Sequence, residues 1–234
     1  MTIHRGPDLP YVLVAGVTPV AKGWLLAGAK HHAATFMPEP PRVFRTFLEV
    51  LNERPAYATM VVNAPIGYRD EIGDPPRTSD LVARALLGNR RTTVATAPTR
   101  THLSSDERVL TGLDAITIQR LSQLREVYRE MSPFRQRSLY SGHPELSFYQ
   151  LNGDAPLRYS KLRDEGREER LELLQSRIQN ISVIVQSDVA VPIKHLYDAA
   201  ALMWTARRVN GKAAKRIPFD AEWDSEGLRT EFVY

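Results

Sequence analysis

The first strong signal along the chain is a run that is apolar on both faces, Tyr11 to Val17, the pattern of a strand buried in the middle of a sheet. It stops at Thr18-Pro19. Apolar stretches at 24–30 and 33–37 follow after tight links, so the three pieces predict an antiparallel meander. Val43, Phe44, Phe47, Leu48, Val50 and Leu51 recur at helical spacing and predict a helix over 41–52. Residues 59–62 read as a short buried strand running into a turn at Asn63-Ala64-Pro65-Ile66-Gly67. Ser79 suits the cap of a helix over 80–87 that stops at Gly88. Residues 92–97 read as extended and 98–108 as loop.

In the second half, 113–131 is a long amphipathic helix with Ile116, Leu121, Leu124 and Val127 on or near one face. Residues 139–140 lead into Ser141-Gly142-His143-Pro144-Glu145, after which 146–151 is helical. The helix expected over 163–179 carries acid–base pairs at three- and four-residue spacing, a solvated face. By contrast 191–210 is apolar nearly all round, and so is predicted to be buried. Residues 216–218 and 228–234 finish the chain, the latter as an edge strand. Residues 1–10 read as a loose tail, and no repeat or linker divides 11–234, which is expected to be one domain. The class is α/β.

Composition narrows the chemistry. The chain has 234 residues and no cysteine, which excludes disulfides, thiolate catalysis and cysteine-based zinc sites, and fits a cytoplasmic protein. The N-terminal MTIHRGPDLP is polar and broken by proline, unlike a secretory signal, and no apolar run has the length of a membrane span. Net charge is +4, and 25 of the 31 basic residues are arginine. Guanidinium groups suit bidentate phosphate contact. That composition permits a nucleic-acid partner; arginine-rich usage equally reflects genome composition.

No phosphate loop or nucleophile elbow is present. Two acids stand out instead. Pro144 suits a first helical turn, so Glu145 lies at a positive helix end, either as plain charge complementation or as a carboxylate presented for metal binding. Asp198 sits inside the most apolar helix, where a lone acid is costly unless paired. Lys194 and His195, four and three residues earlier, share its face, so a Lys194–Asp198 contact is expected.

Seven short motifs follow one another along the chain. They are Gly16-Val17 with Gly23-Trp24, Ala64-Pro65-Ile66-Gly67, and Arg77, Asp80, Ala83, Arg84 with Leu87-Gly88. His143-Pro144-Glu145 with Ser147-Phe148, then Ser160-Lys161 with Gly166 and Arg170, follow. Asp198-Ala199 with Thr205-Ala206, and Ile217-Pro218 with Asp224, Gly227-Leu228 and Tyr234, complete the series. Together these resemble a bacterial family of predicted RNase H-like nucleases, a domain-of-unknown-function family. The resemblance implies an RNase H-like fold: a mixed central sheet that starts with the three-stranded meander, flanked by helices. It also implies acids gathered at strand ends around two divalent metals, with His143, Lys161, Arg77 and Arg84 as binding residues.

At the family's acid positions this chain carries Thr18, Asn63, Ser141, Lys194 and His195. Only Glu145 and Asp198 remain as catalytic candidates, with Asp80 outside the cluster. One reading is a degenerate, catalytically silent member that binds nucleic acid or a protein partner, needs no cofactor and has no membrane role. The other is a divalent-metal nuclease or nucleotide-processing enzyme with a rearranged site, using Mg²⁺ or Mn²⁺ on Glu145 and Asp198.

Overall fold

A computed structural model describes residues 11–105 and 109–234. The tail expected over 1–10 lies outside the described residues. The centre of the fold is strand β1 (Val12–Val20), longer than its apolar run suggests. It pairs antiparallel with β2 (Gly23–His32), which pairs with β3 (Thr35–Pro38) on its far side. On β1's other edge lies β5 (Thr59–Val62), parallel to it, followed by β6 (Leu139–Ser141), parallel to β5. The order β3-β2-β1-β5-β6, a meander continued by two parallel strands, is the RNase H-like arrangement expected above.

The all-apolar character of β1 has a direct cause: both faces of the sheet are covered. Val14 meets one layer with Leu25, Ala27 and Val61, while Leu13, Ala15 and Val17 meet the other with Trp24, Leu26 and Val62. The first layer is built on α8 (Ile193–Asn210), buried from Leu196 through Ala206 as its composition predicts. It approaches β1 so closely that a Cβ on Gly16 would fall 2.1 Å from the Ala199 carbonyl oxygen and 2.2 Å from the Met203 nitrogen. On the far side of α8 lie α5 (Pro144–Leu151), α6 (Asp164–Arg177) and the short α7 (Ser182–Val185), the last not expected from the sequence. The second layer is covered by α1 (Phe47–Asn52) and α4 (Ala115–Glu130).

Four expectations are corrected. The helix over 41–52 is only its second half: Arg42–Phe44 forms β4 on β2, pairing Val43 with Leu25, and α1 starts after Thr46. Thr46 Oγ1 accepts the Glu49 N–H at 3.2 Å, a side-chain cap that fixes the start. Next, α2 (Thr78–Leu87) takes Ser79 inside its first turn. Residues 88–93 form a 3-10 turn that takes in the first two residues of the extended piece expected over 92–97, the other four form no strand, and α3 (Arg100–Ser104) occupies part of the expected loop. Residues 106–108 of that loop are outside the described residues. At the C-terminus β7 (Arg216–Ile217) and β8 (Phe232–Val233) pair with each other, and Val233 bridges to Gly142 beyond the end of β6. No helix among the described residues is long and apolar enough to cross a membrane.

Candidate functional site

In open sheets of parallel strands the carboxyl ends form the crevice where ligands sit. Thr18 lies near that end of β1, Asn63 directly follows β5, and Ser141 ends β6. Hydrogen bonds hold each of them, two to one another and one to the backbone. Asn63 donates its side-chain amide to Thr18 Oγ1 at 3.0 Å, and Ser141 Oγ donates to the Ala64 carbonyl at 2.7 Å. Thr18 and Ser141 are buried. Where three carboxylates would converge, neutral side chains bond to one another or to the backbone.

The two remaining acids are held by cations of the chain itself. Glu145, in the first turn of α5, is 2% exposed and accepts Arg170 Nη2 on both oxygens, at 2.7 and 2.9 Å. Arg170 is fully buried on α6, donates Nη1 to the Gly166 and Tyr159 carbonyls, and lies over the Phe148 ring. Arg90 Nε stands 3.8 Å from the same carboxylate.

Asp198 accepts Lys161 Nζ on Oδ2 at 2.5 Å, while its Oδ1 has no hydrogen-bond partner. The sequence expectation of a Lys194–Asp198 contact is therefore corrected: the partner comes from the loop before α6. Helix α6 leans against that loop so closely that a Cβ on Gly166 would lie 2.1 Å from the Ser160 carbonyl. Only glycine permits this approach, which sets Lys161 over α8. Lys194 is half-buried at the start of α8.

A fourth cation, Arg120, was not expected at all. Arg120 turns from the polar side of α4 and donates Nη2 to the Asn63 carbonyl, leaving its buried Nε without a partner. Burial pushes its guanidinium down to about 10, opposed by the attraction of Asp198, so it stays cationic at neutral pH. His143 donates Nε2–H to the Thr93 carbonyl at 3.0 Å, which leaves Nδ1 as a bare, buried acceptor. Burial lowers its affinity for a proton, the Thr93 bond and Glu145 oppose that, and Lys161 and Arg120 reinforce it. His195 is lowered by burial as well, with Asp198 opposing and Lys161, Lys194 and Arg120 adding to the effect. A cavity of about 40 Å³, room for a few water molecules, lies among Asn63, Thr93, Arg120 and His143.

Arg77 is 2% exposed and fully engaged: Nε and Nη2 grip Asp80 at 3.0 and 2.5 Å, and Nη1 donates to the Ile66 and Gly67 carbonyls. That network ties α2 to the turn after β5. Arg84 donates Nε to the Val94 carbonyl and is half-buried. Of the residues singled out from the sequence, the fold gathers Thr18, Asn63, Ser141, His143, Glu145, Lys161, His195 and Asp198 around one crevice. Arg170 is part of a recognised motif, though its partner is visible only in three dimensions; for Arg120 no sequence signal exists.

A pair of divalent ions needs several free anionic oxygens. Here Glu145 has none free, Asp198 has one, and Arg120 and Lys161 bring positive charge to the same place. Among the described residues no three His, Asp or Glu side chains converge. The residues present do not fit two divalent metals.

Comparison with known proteins places the chain further. No curated protein matches it. Among solved structures it is similar to a Thermus thermophilus RuvC structure at 16% identity and a TM-score of 0.41, covering 87% of this chain and 99% of that one. A family profile matches residues 16–222, from the glycine where α8 crosses β1 to near the C-terminal hairpin, and the chain belongs to that family, described as Protein of unknown function (DUF429).

Proposed function

We propose that this protein is a degenerate relative of RNase H-like nucleases that binds nucleic acid and does not hydrolyse it by two-metal chemistry. One observation carries the reading: each surviving carboxylate is already neutralised by a cation of the chain, Glu145 by Arg170 and Asp198 by Lys161. With Arg90 and Arg120 beside them, the crevice is net cationic. A cationic crevice repels Mg²⁺ and attracts phosphodiesters. The rim continues the pattern, since Arg91 is exposed in the same 3-10 turn as Arg90, next to Arg84.

In this reading Arg120 and Lys161 take the place of metal ions as phosphate-binding charges, held by Asn63 and Asp198. His143, neutral and fixed in one tautomer by Thr93, offers Nδ1 as an acceptor for a sugar hydroxyl or a base N–H. Gel shift with a mixed-sequence oligonucleotide in EDTA, at low and moderate salt, tests the binding half. A shift that weakens steeply with salt is expected, and its absence at low salt sinks the proposal. Incubation of the same oligonucleotide with Mg²⁺ or Mn²⁺ tests the other half, with intact substrate expected.

The unpartnered Asp198 Oδ1 is the one feature favouring the competing reading, a rearranged single-metal nuclease in which Glu145 and Asp198 act with Asn63 and Thr18 oxygens. Metal-dependent cleavage that Asp198→Asn abolishes establishes that reading instead.

A further inference from the structure

Away from the crevice, the chain exposes aromatic rings that a folded monomer has no need to expose. Phe134 is 74% and Trp223 is 55% exposed. Each carries a guanidinium over its face: Arg137 lies 5.5 Å from the Phe134 ring centre and Arg229 lies 5.5 Å from that of Trp223. Arg216 sits 5.4 Å over Tyr140, at the edge of the main sheet. Arg137, Tyr140, Arg216, Trp223 and Arg229 line one open groove of about 340 Å³, within the roughly 300–1,000 Å³ of ordinary ligand clefts. The backbone under it is firm. Trp223 bridges Arg229 across the hairpin that precedes β8, and Gln136 binds the Arg229 backbone on both sides, at 2.8 and 2.9 Å.

We infer that this groove is a binding platform for single-stranded nucleic acid, with Trp223 as its stacking surface, Phe134 as a second ring at its margin beside Arg137, and Arg137, Arg216 and Arg229 as phosphate contacts. Charge complementarity selects this occupant. The one acid lining the groove, Glu231, is 6% exposed and already answered by Arg216 and Arg229, so three arginines face one carboxylate. An acid-rich backbone with unstacked bases satisfies both halves of the surface, because a stacked ring needs a flat partner and each guanidinium an anion. A duplex offers the phosphates but hides the bases. Proteins of the strand-binding kind combine these two elements in one groove. The inference rests on the nucleic-acid reading above and adds the strand form and the place.

The chain carries its own probe. Of its three tryptophans, Trp24 is fully buried and Trp204 is 7% exposed, so a base that stacks on the protein surface meets Trp223. An oligodeoxythymidylate of about 12 nucleotides, within the length range such grooves cover, is titrated into the full chain, with binding read by fluorescence anisotropy of the labelled strand and by tryptophan emission. Quenching of the emission together with anisotropy gain is expected, and the blunt duplex of the same length binds more weakly. Trp223→Ala loses the quenching and weakens binding about 5- to 150-fold. Trp223→Phe, which keeps a ring, retains most of the affinity, and Arg229→Ala flattens the salt dependence by about one phosphate contact. Circular dichroism of each variant confirms the fold. Strand binding without quenching and unaffected by Trp223→Ala overturns the platform but leaves the nucleic-acid reading standing. Duplex binding as tight as strand binding also overturns it. No binding of either form removes both.

Discussion

The two acids of the crevice, Glu145 on α5 and Asp198 on α8, are treated differently by the fold. Glu145 and Asp198 are buried to the same degree, at 2% and 1% exposure. Glu145 is closed: both oxygens bond a guanidinium that is itself fully buried and anchored to two carbonyls. Asp198 is open: one oxygen meets a lysine whose side chain is 26% exposed, and the other meets nothing. A buried pair with every lone pair satisfied fixes structure, whereas a half-satisfied pair keeps capacity for something else. Glu145–Arg170 thus belongs with Arg77–Asp80 as a clamp between elements. Asp198–Lys161, beside Arg120, is where a ligand has reason to act.

Breaking the closed pair has the largest expected effect. Arg170→Ala leaves a buried carboxylate with Arg90 3.8 Å away as its nearest remaining cation, a loss of about 3–5 kcal/mol. For a chain of this size that lowers the melting temperature by about 10 °C. The double variant Arg170→Ala with Glu145→Ala is expected to lose less than the sum of the two single changes, by about 0.5–3 kcal/mol of coupling. Additive losses in a thermal melt series contradict the clamp.

Breaking the open pair costs less. Lys161→Ala removes one bond to Asp198, and the loss expected is about 1–3 kcal/mol, with Arg120 still attracting the carboxylate. The same variant sharpens the contrast in metal response. Ligands that bind the folded state raise its melting temperature. Millimolar Mn²⁺ is expected to leave the wild-type melt unmoved and to raise that of Lys161→Ala, because the lysine blocks the free carboxylate. A wild-type rise reversed by EDTA contradicts the view that the chain's own cations hold the site.

Elements that are apolar all round were legible in the sequence, and the crevice was legible only in part. Tyr11–Val17 and the Asp198 helix announce burial because neither has a polar face to give to water. Val43 and Phe44 misled, since both a helix and a strand can use them, and pairing with Leu25 and Trp24 decides for the strand. The acid positions were readable one by one from their motifs. Their cations were not. Spacing on α8 favoured Lys194, which is local, whereas Lys161 reaches Asp198 across 37 residues through the close approach at Gly166. Arg120 sits among the polar positions of an amphipathic helix, and periodicity records faces, not which arginine bends under an edge toward Asn63.

The smallest effect separates the two halves of the crevice by pH. His143 beside Glu145 and His195 beside Asp198 are both held below the ordinary imidazole value of 6.5 by burial. A depressed histidine is neutral in the fold and takes up its proton more readily once unfolded. Between the two values the unfolded state therefore binds more protons, and stability rises with pH. The contribution is complete above about pH 6.5 and is lost as the pH falls below it. The urea midpoint is expected to fall more between about pH 7.5 and about pH 5.5 in the wild type than in His143→Gln. His195→Gln is expected to flatten the profile less, because Asp198, with one oxygen unclaimed, pulls that imidazole back toward the charged form. If His195→Gln flattens it more, Asp198 is not the open member of the pair, and the contrast with Glu145 fails.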